Sequence, residues 1–493
     1  MNVRSKIDAL KIEKRAFIDG KYVPSQSGAT IIKNISADGS ELAGIAACDK
    51  ADIDLAVQAA QAAFPVWAAK SPLERKEIML RLADLMEKHL EELALLDAYE
   101  TGRAYQNYRD DSVPKAIEAL RYFAEAIDKA YDAAIPSRKS EFGLVRRVPL
   151  GVIGAITPWN DPLVVDTWKY APALLMGNTV VMKPAEQSSL SLIRLAGLAM
   201  EAGVPAGVFN VVPGYGETAG KALALHPAVR GIFFTGSSEV GKLMLQYSGQ
   251  SNMKKVGLEC GGKGPYIVSD KCRHIKEAAE VLAANMFYNQ GQICSAPSRV
   301  IVDKNVYDEF LPALYKAAEA YVPGDPFDDE NRVGCVVSRE QYEKVQSYIK
   351  LAQEKGATVW QAQGVKPHHE KACCVQPTVI TGVTNTDQVA REEIFGPVVV
   401  VLVAEDITEA VAIANDTEYG LAGAVWTDDF DEACEAARQI ETGLVHINSY
   451  GNDDNSAPFG GVKQSGLGKD KSAYAFDEYS DLQTIWVHTR PTI

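Results

Sequence analysis

Hydrophobic and polar residues follow two different periodic patterns along this chain. From about residue 51, apolar residues recur every three or four positions, which predicts long amphipathic helices. Ser71, followed by Pro72 and Glu74, has the pattern of a helix start, and Gly102 has that of a helix stop. From residue 142 onward, short apolar runs alternate with helical patterns through most of the chain. This alternation predicts an α/β protein with parallel sheets.

The alternating part divides into two regions and a terminal strand. Residues 178–250 hold a series of strands and helices, among them RGIFFTGS followed by SEVGKLMLQYSG, which resembles a nucleotide-binding sheet. A second series after residue 294 predicts a second α/β domain. The final DEYSDLQTIWVHT predicts a strand that needs a sheet to join, in this chain or in another subunit.

The composition excludes several classes of function. The chain has 493 residues, of which 47% are hydrophobic, so it can bury more than one core. Its net charge of −15 and its dispersed Lys and Arg residues argue against nucleic acid or an anionic membrane as a partner. No apolar run has the length of a membrane span or the form of a signal peptide, which predicts a cytoplasmic protein.

The cysteines and histidines suggest neither a metal site nor a disulfide framework. The eight cysteines show no CxxC, and the only close pair, Cys373 and Cys374, is adjacent within a strand-like run. The seven histidines form no HxxxH motif and no His/Cys group. We therefore expect no bound metal.

Two strand ends in the first region carry candidate binding residues. Gly236 and Ser237 lie between a strand and a helix, where free amides can meet a phosphate, although an ordinary strand-to-helix turn has the same pattern. Lys183 and Glu186 follow another strand, where side chains can bind ribose hydroxyls or simply form a solvated pair. Neither signal decides between the two interpretations alone.

Three residues are candidates for catalysis. Cys294 stands among small polar residues in NQGQICSA, a setting that suits a nucleophilic thiol better than a core does. Glu259 interrupts an apolar run just before two glycines, where a carboxylate is costly unless it is paired or functional. Asn160 follows a strand and offers an amide donor. Each has a common structural explanation when it is considered separately.

Seven motifs in order make the chain resemble the aldehyde dehydrogenase superfamily over nearly its whole length: TPWN, MKPAE, FTGSSEVG, LECGGKGP, FYNQGQIC, EEIFGPV and PFGGVKQSGLG. The loop at 448–459 and the C-terminal segment look most like the branch that oxidises aminoaldehydes and γ-glutamylaminobutyraldehyde-type compounds. The resemblance implies a Rossmann-like NAD-binding domain (1–125 and 150–261), an α/β catalytic domain (262–475) and a small β oligomerisation extension (126–149 and 476–493). It also implies a homodimer or homotetramer.

The resemblance implies a mechanism as well. The Cys294 thiolate attacks the aldehyde carbon, and the Asn160 side chain with the Cys294 backbone amide holds the oxyanion. The thiohemiacetal gives a hydride to the nicotinamide and becomes a thioester. Glu259 then activates the water that releases a carboxylic acid.

The resemblance also assigns binding residues. The predicted cofactor set is Ile156, Trp159, Lys183, Glu186, Gly216, Gly236, Ser237, Val240, Glu393 and Phe395. The predicted substrate set is Asp161, Trp168, Ile293, Ser295, Asp453, Asp454 and Phe459. Glu186 beside the ribose 2′-hydroxyl favours NAD, because a 2′-phosphate would meet a like charge, while Lys183 nearby keeps NADP open.

Two departures from the family pattern bear on the substrate. Asp161 stands where many relatives have an aromatic residue, and Asp470 stands where many have a glutamate. With Asp166, Asp453 and Asp454, Asp161 predicts an acidic mouth and an ω-amino, guanidino or acylamino aldehyde as substrate. The alternatives are a broad aliphatic or aromatic aldehyde dehydrogenase, a CoA-acylating relative, a cysteine hydrolase and a non-catalytic protein on this fold.

Overall fold

The computed structural model describes residues 2–138, 140–364, 368–451 and 453–490. The predicted domains and the predicted loop at 448–459 also include residues 1, 139, 365–367, 452 and 491–493, which lie outside the described residues. The strands are β1 (Ala16–Ile18), β2 (Lys21–Val23), β3 (Thr30–Asn34), β4 (Glu41–Ala46), β5 (Ala133–Ile135), β6 (Glu141–Pro149), β7 (Val152–Ile156), β8 (Thr179–Lys183), β9 (Phe209–Val211), β10 (Val229–Thr235), β11 (Lys255–Glu259), β12 (Pro265–Val268), β13 (Arg299–Asp303), β14 (Thr358–Gln361), β15 (Thr378–Thr381), β16 (Val398–Ala404), β17 (Ala422–Trp426), β18 (Leu444–Ile447), β19 (Gly466–Leu467) and β20 (Ser480–His488).

The helices are α1 (Val3–Asp8), α2 (Lys50–Ala68), α3 (Pro72–Lys88), α4 (Leu90–Thr101), α5 (Tyr105–Asn107), α6 (Val113–Ala126), α7 (Pro162–Leu175), α8 (Leu190–Ala202), α9 (Lys221–Leu225), α10 (Ser238–Gln250), α11 (Ile275–Phe287), α12 (Tyr307–Ala318), α13 (Arg339–Glu354), α14 (Gln388–Arg391), α15 (Ile407–Asn415), α16 (Phe430–Gln439) and α17 (Ala475–Glu478). Short π turns cover Tyr108–Ser112 and Gly216–Gly220, and 3-10 turns cover Ile127–Lys129, Glu319–Tyr321 and Lys463–Ser465.

Both predicted helix signals are confirmed. The Ser71 hydroxyl accepts a hydrogen bond from the Glu74 backbone amide, the Glu74 carboxylate accepts one from the Ser71 amide, and Pro72 begins α3. Gly102 ends α4 with φ of 74°, a backbone conformation that costs glycine least. No helix of the described residues is long and apolar enough to cross a membrane. A cytoplasmic location stays a prediction.

The first sheet has the strand order β19-β11-β10-β7-β8-β9-β1-β2. Its centre, from β11 to β9, is parallel, as the alternating pattern predicted. β1, β2 and β19 join it antiparallel. The central strands are buried, and helices such as α2, α8 and α10 cover them, which is the doubly covered arrangement of α/β proteins.

The second sheet has the order β14-β15-β16-β13-β12-β17-β18. All neighbours from β15 to β18 are parallel, and β14 pairs with β15 antiparallel. The strand and helix series predicted after residue 294 is therefore confirmed, with β12 from before it in the same sheet, and a separate domain stays a prediction. The catalytic candidate Cys294 lies in the connection between α11 and β13, which leads into this sheet.

The terminal strand joins a sheet of its own chain. β20 pairs antiparallel with β6 along nine residues, and β5 completes a three-stranded sheet. The β3–β4 hairpin forms a separate two-stranded sheet that the hydrophobic pattern did not predict. The strand-like interpretation of Cys373 and Cys374 is wrong: both are buried, but they lie in an irregular segment before β15.

Candidate active site

Four parallel strands of the first sheet end at one edge. β7 ends at Ile156, β8 at Lys183, β10 at Thr235 and β11 at Glu259. Ile156 is in register with Lys183, and Thr235 with Glu259, so these side chains start from the same end of the sheet. Ligands of open α/β sheets bind at this end.

A cavity of about 220 Å³ opens at this edge and brings the three catalytic candidates together. Its lining consists of Pro158, Trp159, Asn160, Val165, Trp168, Thr235, Gly236, Ser237, Glu259, Gly261, Cys294, Gln341, Lys344, Glu393, Phe395, Phe459 and Asp470. Sequence positions more than 130 residues apart therefore face the same space. Four aromatic side chains form part of its wall and several polar groups converge on it, which is the usual form of a small-molecule site.

The loop before Cys294 is fixed to the turn that carries Asn160. The Asn160 Nδ2 donates to the Gln292 carbonyl at 3.1 Å, and the Asn289 Nδ2 donates to the Asn160 carbonyl at 2.9 Å. Gly291 has φ of +66°, and a side chain there would collide with the Gly396 carbonyl. An asparagine amide has two hydrogens, so the contact with Gln292 leaves one free for a ligand.

The Cys294 side chain is half-buried and its environment holds the thiol protonated. Burial, and then the negative charges of Glu393 and Glu259, raise the pKa of Cys294 to about 12. Gly262 packs closely against the same residue: a methyl group on Gly262 would meet the Cys294 carbonyl oxygen at 2.6 Å. In the free protein the thiol therefore needs further positive charge or a base before it becomes a thiolate.

We expect alkylation of Cys294 by iodoacetamide, a neutral reagent, to accelerate with pH. Because the pKa lies far above neutrality, the thiolate fraction grows about tenfold for each pH unit between pH 7 and pH 9. Peptide mapping of the free protein at several pH values measures this rate. A rate that is already level at pH 7 would mean that the thiol is ionised in the free protein, contrary to its surroundings.

Glu259 is nearly buried and has an unused carboxylate oxygen. It is 4% exposed, and its Oε2 atom has no hydrogen-bond partner in the described residues. Burial and then the nearby Asp470 raise its pKa well above the usual range, while Lys169 and Lys469 oppose the shift. Once ionised, such a carboxylate is a stronger base towards water than an ordinary one, and its ionised fraction grows as the pH rises.

The glycine-rich segment near the C-terminus holds Glu259 in place. Gly466 in β19 pairs with Glu259, and the Cys260 amide donates to the Ser465 carbonyl at 2.7 Å. A side chain on Gly460 would collide with the Glu259 carboxylate. The segment also places Asp470 in the cavity lining, where its Oδ2 accepts a hydrogen bond from the Lys169 Nζ at 2.6 Å.

Half of the predicted cofactor residues line the cavity and the rest continue along the same edge. Trp159, Gly236, Ser237, Glu393 and Phe395 belong to the lining. The remaining predicted residues are Ile156 and Lys183 at strand ends, Glu186 just after β8, Gly216 at the start of a π turn and Val240 in the first turn of α10.

These residues fit a dinucleotide. Ser237 caps α10 by accepting from the Val240 amide at 3.3 Å, and this helix begins directly after the carboxyl end of β10, a place where free amides can bind a phosphate. The Lys183 Nζ donates to the Gly214 carbonyl at 2.9 Å and lies 3.5 Å from the Glu186 Oε2. A half-exposed carboxylate beside a buried ammonium can receive ribose hydroxyls.

The predicted substrate residues are not all in the cavity. Trp168 and Phe459 line it, with ring centroids 5.4 Å apart. Asp161 lies outside the lining, and its Oδ1 is 3.3 Å from the Arg103 Nη1. Asp453 pairs with Lys471 at 2.5 Å. Two of the predicted acids are therefore neutralised by cations of the protein itself.

The other predicted acids and the neighbours of Cys294 have structural surroundings. Asp454 is exposed and accepts from the Ser456 amide at 2.7 Å. Ile293 packs on the core beneath the second sheet, and the Ser295 carbonyl accepts from the Tyr450 hydroxyl at 2.6 Å. The prediction that Asp166 adds charge to the mouth is wrong: it is 1% exposed, and burial raises its pKa to about 8, so at pH 7 it is mostly protonated.

Sequence reasoning missed the cation beside Asp161. Arg103 is 4% exposed, and its guanidinium lies 4.9 Å from the ring centroids of both Tyr108 and Tyr288. Arg103 follows the helix stop at Gly102 in an unremarkable TGR tripeptide. The ion pair joins residues 58 positions apart, so no local signal could have revealed it.

Comparisons with known proteins agree on one family. The aldehyde dehydrogenase family pattern matches residues 22–485. An aminoacetaldehyde dehydrogenase of Pseudomonas aeruginosa is 42% identical over 97% of this chain and 96% of its own length. Among solved structures, a γ-glutamyl-γ-aminobutyraldehyde dehydrogenase from Burkholderia cenocepacia superposes with a TM-score of 0.96 at 44% identity, covering 99% of this chain and 100% of that one. An indole-3-acetaldehyde dehydrogenase of P. syringae, in complex with NAD+, also has a TM-score of 0.96 at 44% identity, covering 99% of each chain.

Proposed function

The chain belongs to the aldehyde dehydrogenase family, and we propose that this NAD-dependent enzyme oxidises an acylamino or amino aldehyde to the carboxylic acid through Cys294. The observation that carries the proposal is that Cys294, Glu259 and Asn160 line one cavity at the carboxyl edge of the first sheet. A nucleophile, a carboxylate and an amide donor are the groups that acyl transfer through a thiol requires.

Cys294 and Asn160 carry the first half of the reaction. The Cys294 thiolate attacks the aldehyde carbon and forms a thiohemiacetal. The free Nδ2 hydrogen of Asn160 and the Cys294 backbone amide donate to the oxygen, which gains negative charge in the transition state. Asn160 is held by Gln292 and Asn289, so these donors are oriented before the aldehyde arrives.

Bound NAD would supply the hydride acceptor for the oxidation. Glu393 and Phe395 would hold its nicotinamide half, and Ser237 with the start of α10 its pyrophosphate. Lys183 and Glu186 would hold the adenine ribose, which favours NAD and leaves NADP open. Glu259 then takes a proton from water and releases the acid from Cys294, a step that its raised pKa favours.

The names of relatives and the charges at the mouth together support the substrate class. One relative acts on aminoacetaldehyde and another on an acylated aminoaldehyde, by their names. In this chain Arg103 and Lys471 already pair with Asp161 and Asp453. A free ammonium group would compete with these cations, whereas a neutral amide tail would not, so we favour the acylamino aldehyde.

We expect kcat/KM for N-acetyl-4-aminobutyraldehyde to exceed that for 4-aminobutyraldehyde by about tenfold or more, since the amine finds no unpaired carboxylate in the lining except those near the reacting centre. NADH formation with both aldehydes, at equal free-aldehyde concentration and pH 7.5, measures the ratio. A preference for the cationic aldehyde would mean that Asp161 or Asp453 leaves its partner to bind substrate.

An aromatic aldehyde is a second candidate, favoured by the Trp168 and Phe459 rings in the lining. The P. syringae relative, which has the same identity and TM-score as the γ-glutamyl-γ-aminobutyraldehyde dehydrogenase, acts by its name on indole-3-acetaldehyde. Including indole-3-acetaldehyde and hexanal in the same assay separates the candidates. If either has the highest kcat/KM, the aromatic or broad-specificity alternative replaces the acylamino proposal.

The proposed domains and assembly follow the sheets. The first sheet takes all its strands except β19 from residues 1–125 and 150–261, the second lies within 262–475, and β5, β6 and β20 supply the extension. On this extension Phe142, Leu482 and Trp486 are 49%, 69% and 52% exposed. Apolar residues on an edge sheet favour contact with another subunit, so we propose a homodimer or homotetramer, which light scattering would measure.

A further inference from the structure

Two buried thiols lie side by side outside the active-site cavity. The Sγ atoms of Cys335 and Cys374 are 3.3 Å apart, although 39 residues separate them in the chain. Cys335 is fully buried and Cys374 is 8% exposed. The other six cysteines have no cysteine partner at this distance within the described residues.

The surroundings of Cys374 suit a reactive thiol. The Cys335 thiol, and then the His368 imidazole, lower the pKa of Cys374 below that of an ordinary thiol, against the effect of burial. The His368 Nε2 in turn lies 4.0 Å from the Asp325 carboxylate, which supports a positive charge on the imidazole. A thiolate with a resolving thiol in contact is the arrangement that oxidants select.

Both cysteine segments are hydrogen-bonded to the loop that carries Cys294. Two residues after Cys335, the Val337 amide donates to the Gln292 Oε1 at 2.9 Å. Directly after Cys374, the Val375 amide donates to the Gln290 Oε1 at 3.1 Å. Both glutamines are buried, at 1% and 2% exposure.

The loop that carries Cys294 also contacts Asn160, the proposed oxyanion donor. The carbonyl of Gln292 accepts the hydrogen bond that orients Asn160. A disulfide has a sulfur separation of about 2.05 Å, so forming one here would draw Cys335 and Cys374 together by about 1.3 Å. Their neighbours Val337 and Val375 would move with them, and the displacement would reach Gln292.

We propose that Cys335 and Cys374 are an oxidation site whose disulfide slows the enzyme by shifting the loop between Gln290 and Cys294. With hydrogen peroxide as oxidant, the Cys374 thiolate attacks one peroxide oxygen, the O–O bond breaks, and hydroxide leaves as water after taking a proton. The resulting sulfenic acid is attacked by the Cys335 thiol, the S–O bond breaks, and a second water leaves. The two thiols lose two electrons, and the peroxide gains them.

Peptide mapping under non-reducing conditions tests the site independently of catalysis. The full-length protein is treated with hydrogen peroxide at pH 7 without NAD, alkylated and digested. We expect a peptide pair linked through Cys335 and Cys374 that disappears after reduction, while Cys294 remains available for alkylation. Absence of this pair, with oxidation of other cysteines instead, would overturn the proposal.

Enzyme activity tests whether the Cys335–Cys374 disulfide slows catalysis. Oxidised protein should lose about 10- to 100-fold in kcat, as expected for a misplaced catalytic group, and regain it with dithiothreitol. Cys335→Ser should resist this reversible loss, as should Cys335→Ala if the serine does not fold. Cys373→Ser is the matched control, because the Cys373 sulfur faces the Lys371 carbonyl at 3.8 Å rather than a thiol; it should be inactivated like the native protein. Equal inactivation of Cys335→Ser and the native protein, with the linked peptide present only in the latter, would contradict the coupling.

Discussion

Replacing Cys294 by alanine should abolish aldehyde-dependent NADH formation, with a fall in kcat of at least about 10⁴-fold. No other thiol lies in the described cavity lining, so a neighbouring cysteine cannot take over the attack. The side chain is small and half-buried, so its truncation should leave the fold intact. Activity at saturating aldehyde and NAD measures the effect.

The matched control for this variant is Cys434→Ala. Cys434 is also half-buried, but it lies in α16, away from the cavity. It should keep native activity, and both variants should unfold within a few degrees of the native protein. NADH formation by Cys294→Ala above about one part in a thousand of the native rate would show that Cys294 is not the nucleophile.

Glu259→Gln should separate the two halves of the reaction. The amide has the shape of the carboxylate but cannot take a proton from water, so steady-state kcat should fall by about 10²- to 10⁴-fold. In the proposed mechanism the first turnover needs the thiolate, the oxyanion donors and bound NAD, but not hydrolysis by Glu259. We therefore expect a rapid burst of NADH, close to one equivalent per active site, followed by a slow phase. Stopped-flow absorbance at 340 nm records both.

The burst identifies the step at which Glu259 acts. If the burst disappears together with the steady state, Glu259 is needed for the attack of Cys294 rather than for hydrolysis.

Asp470→Asn is a useful comparison, since Asp470 raises the pKa of Glu259 by its charge. That variant should lower the pKa of Glu259 and move the alkaline-rising limb of kcat to lower pH.

The sequence predicted the architecture because its signals are local. The alternating strands and helices, the cap at Ser71 and the stop at Gly102 each depend on a few neighbouring residues, and the structure confirms them. The β3–β4 hairpin was missed because it is short and partly exposed, so its strands lack a strong apolar pattern. The segment with Cys373 and Cys374 is buried and therefore has the apolar residues of a strand. Its backbone hydrogen bonds, however, join it to loops rather than to a strand.

The candidate site was predicted less evenly. Motifs place Cys294, Glu259 and Asn160 in the chain, and the structure brings them to one cavity. The prediction of an acidic mouth did not include the ion pair between Arg103 and Asp161, because ion pairs between distant residues depend on the folded chain. Arg103 follows the end of α4 and reaches Asp161 from there. The burial of Asp166 was equally invisible, because a carboxylate on α7 can face solvent or the interior with the same spacing.

The most direct test of Cys294 as the nucleophile is the mass of the peptide that contains it, measured after Glu259→Gln protein is mixed with NAD and aldehyde and quenched in acid. Slow hydrolysis in this variant should leave the acyl group on the enzyme. A mass increase equal to the acyl group, located on Cys294 and absent in the Glu259→Gln, Cys294→Ala double variant, is the predicted result. An acyl group on another residue, or a full burst of NADH with no adduct on any residue, would contradict the thioester mechanism.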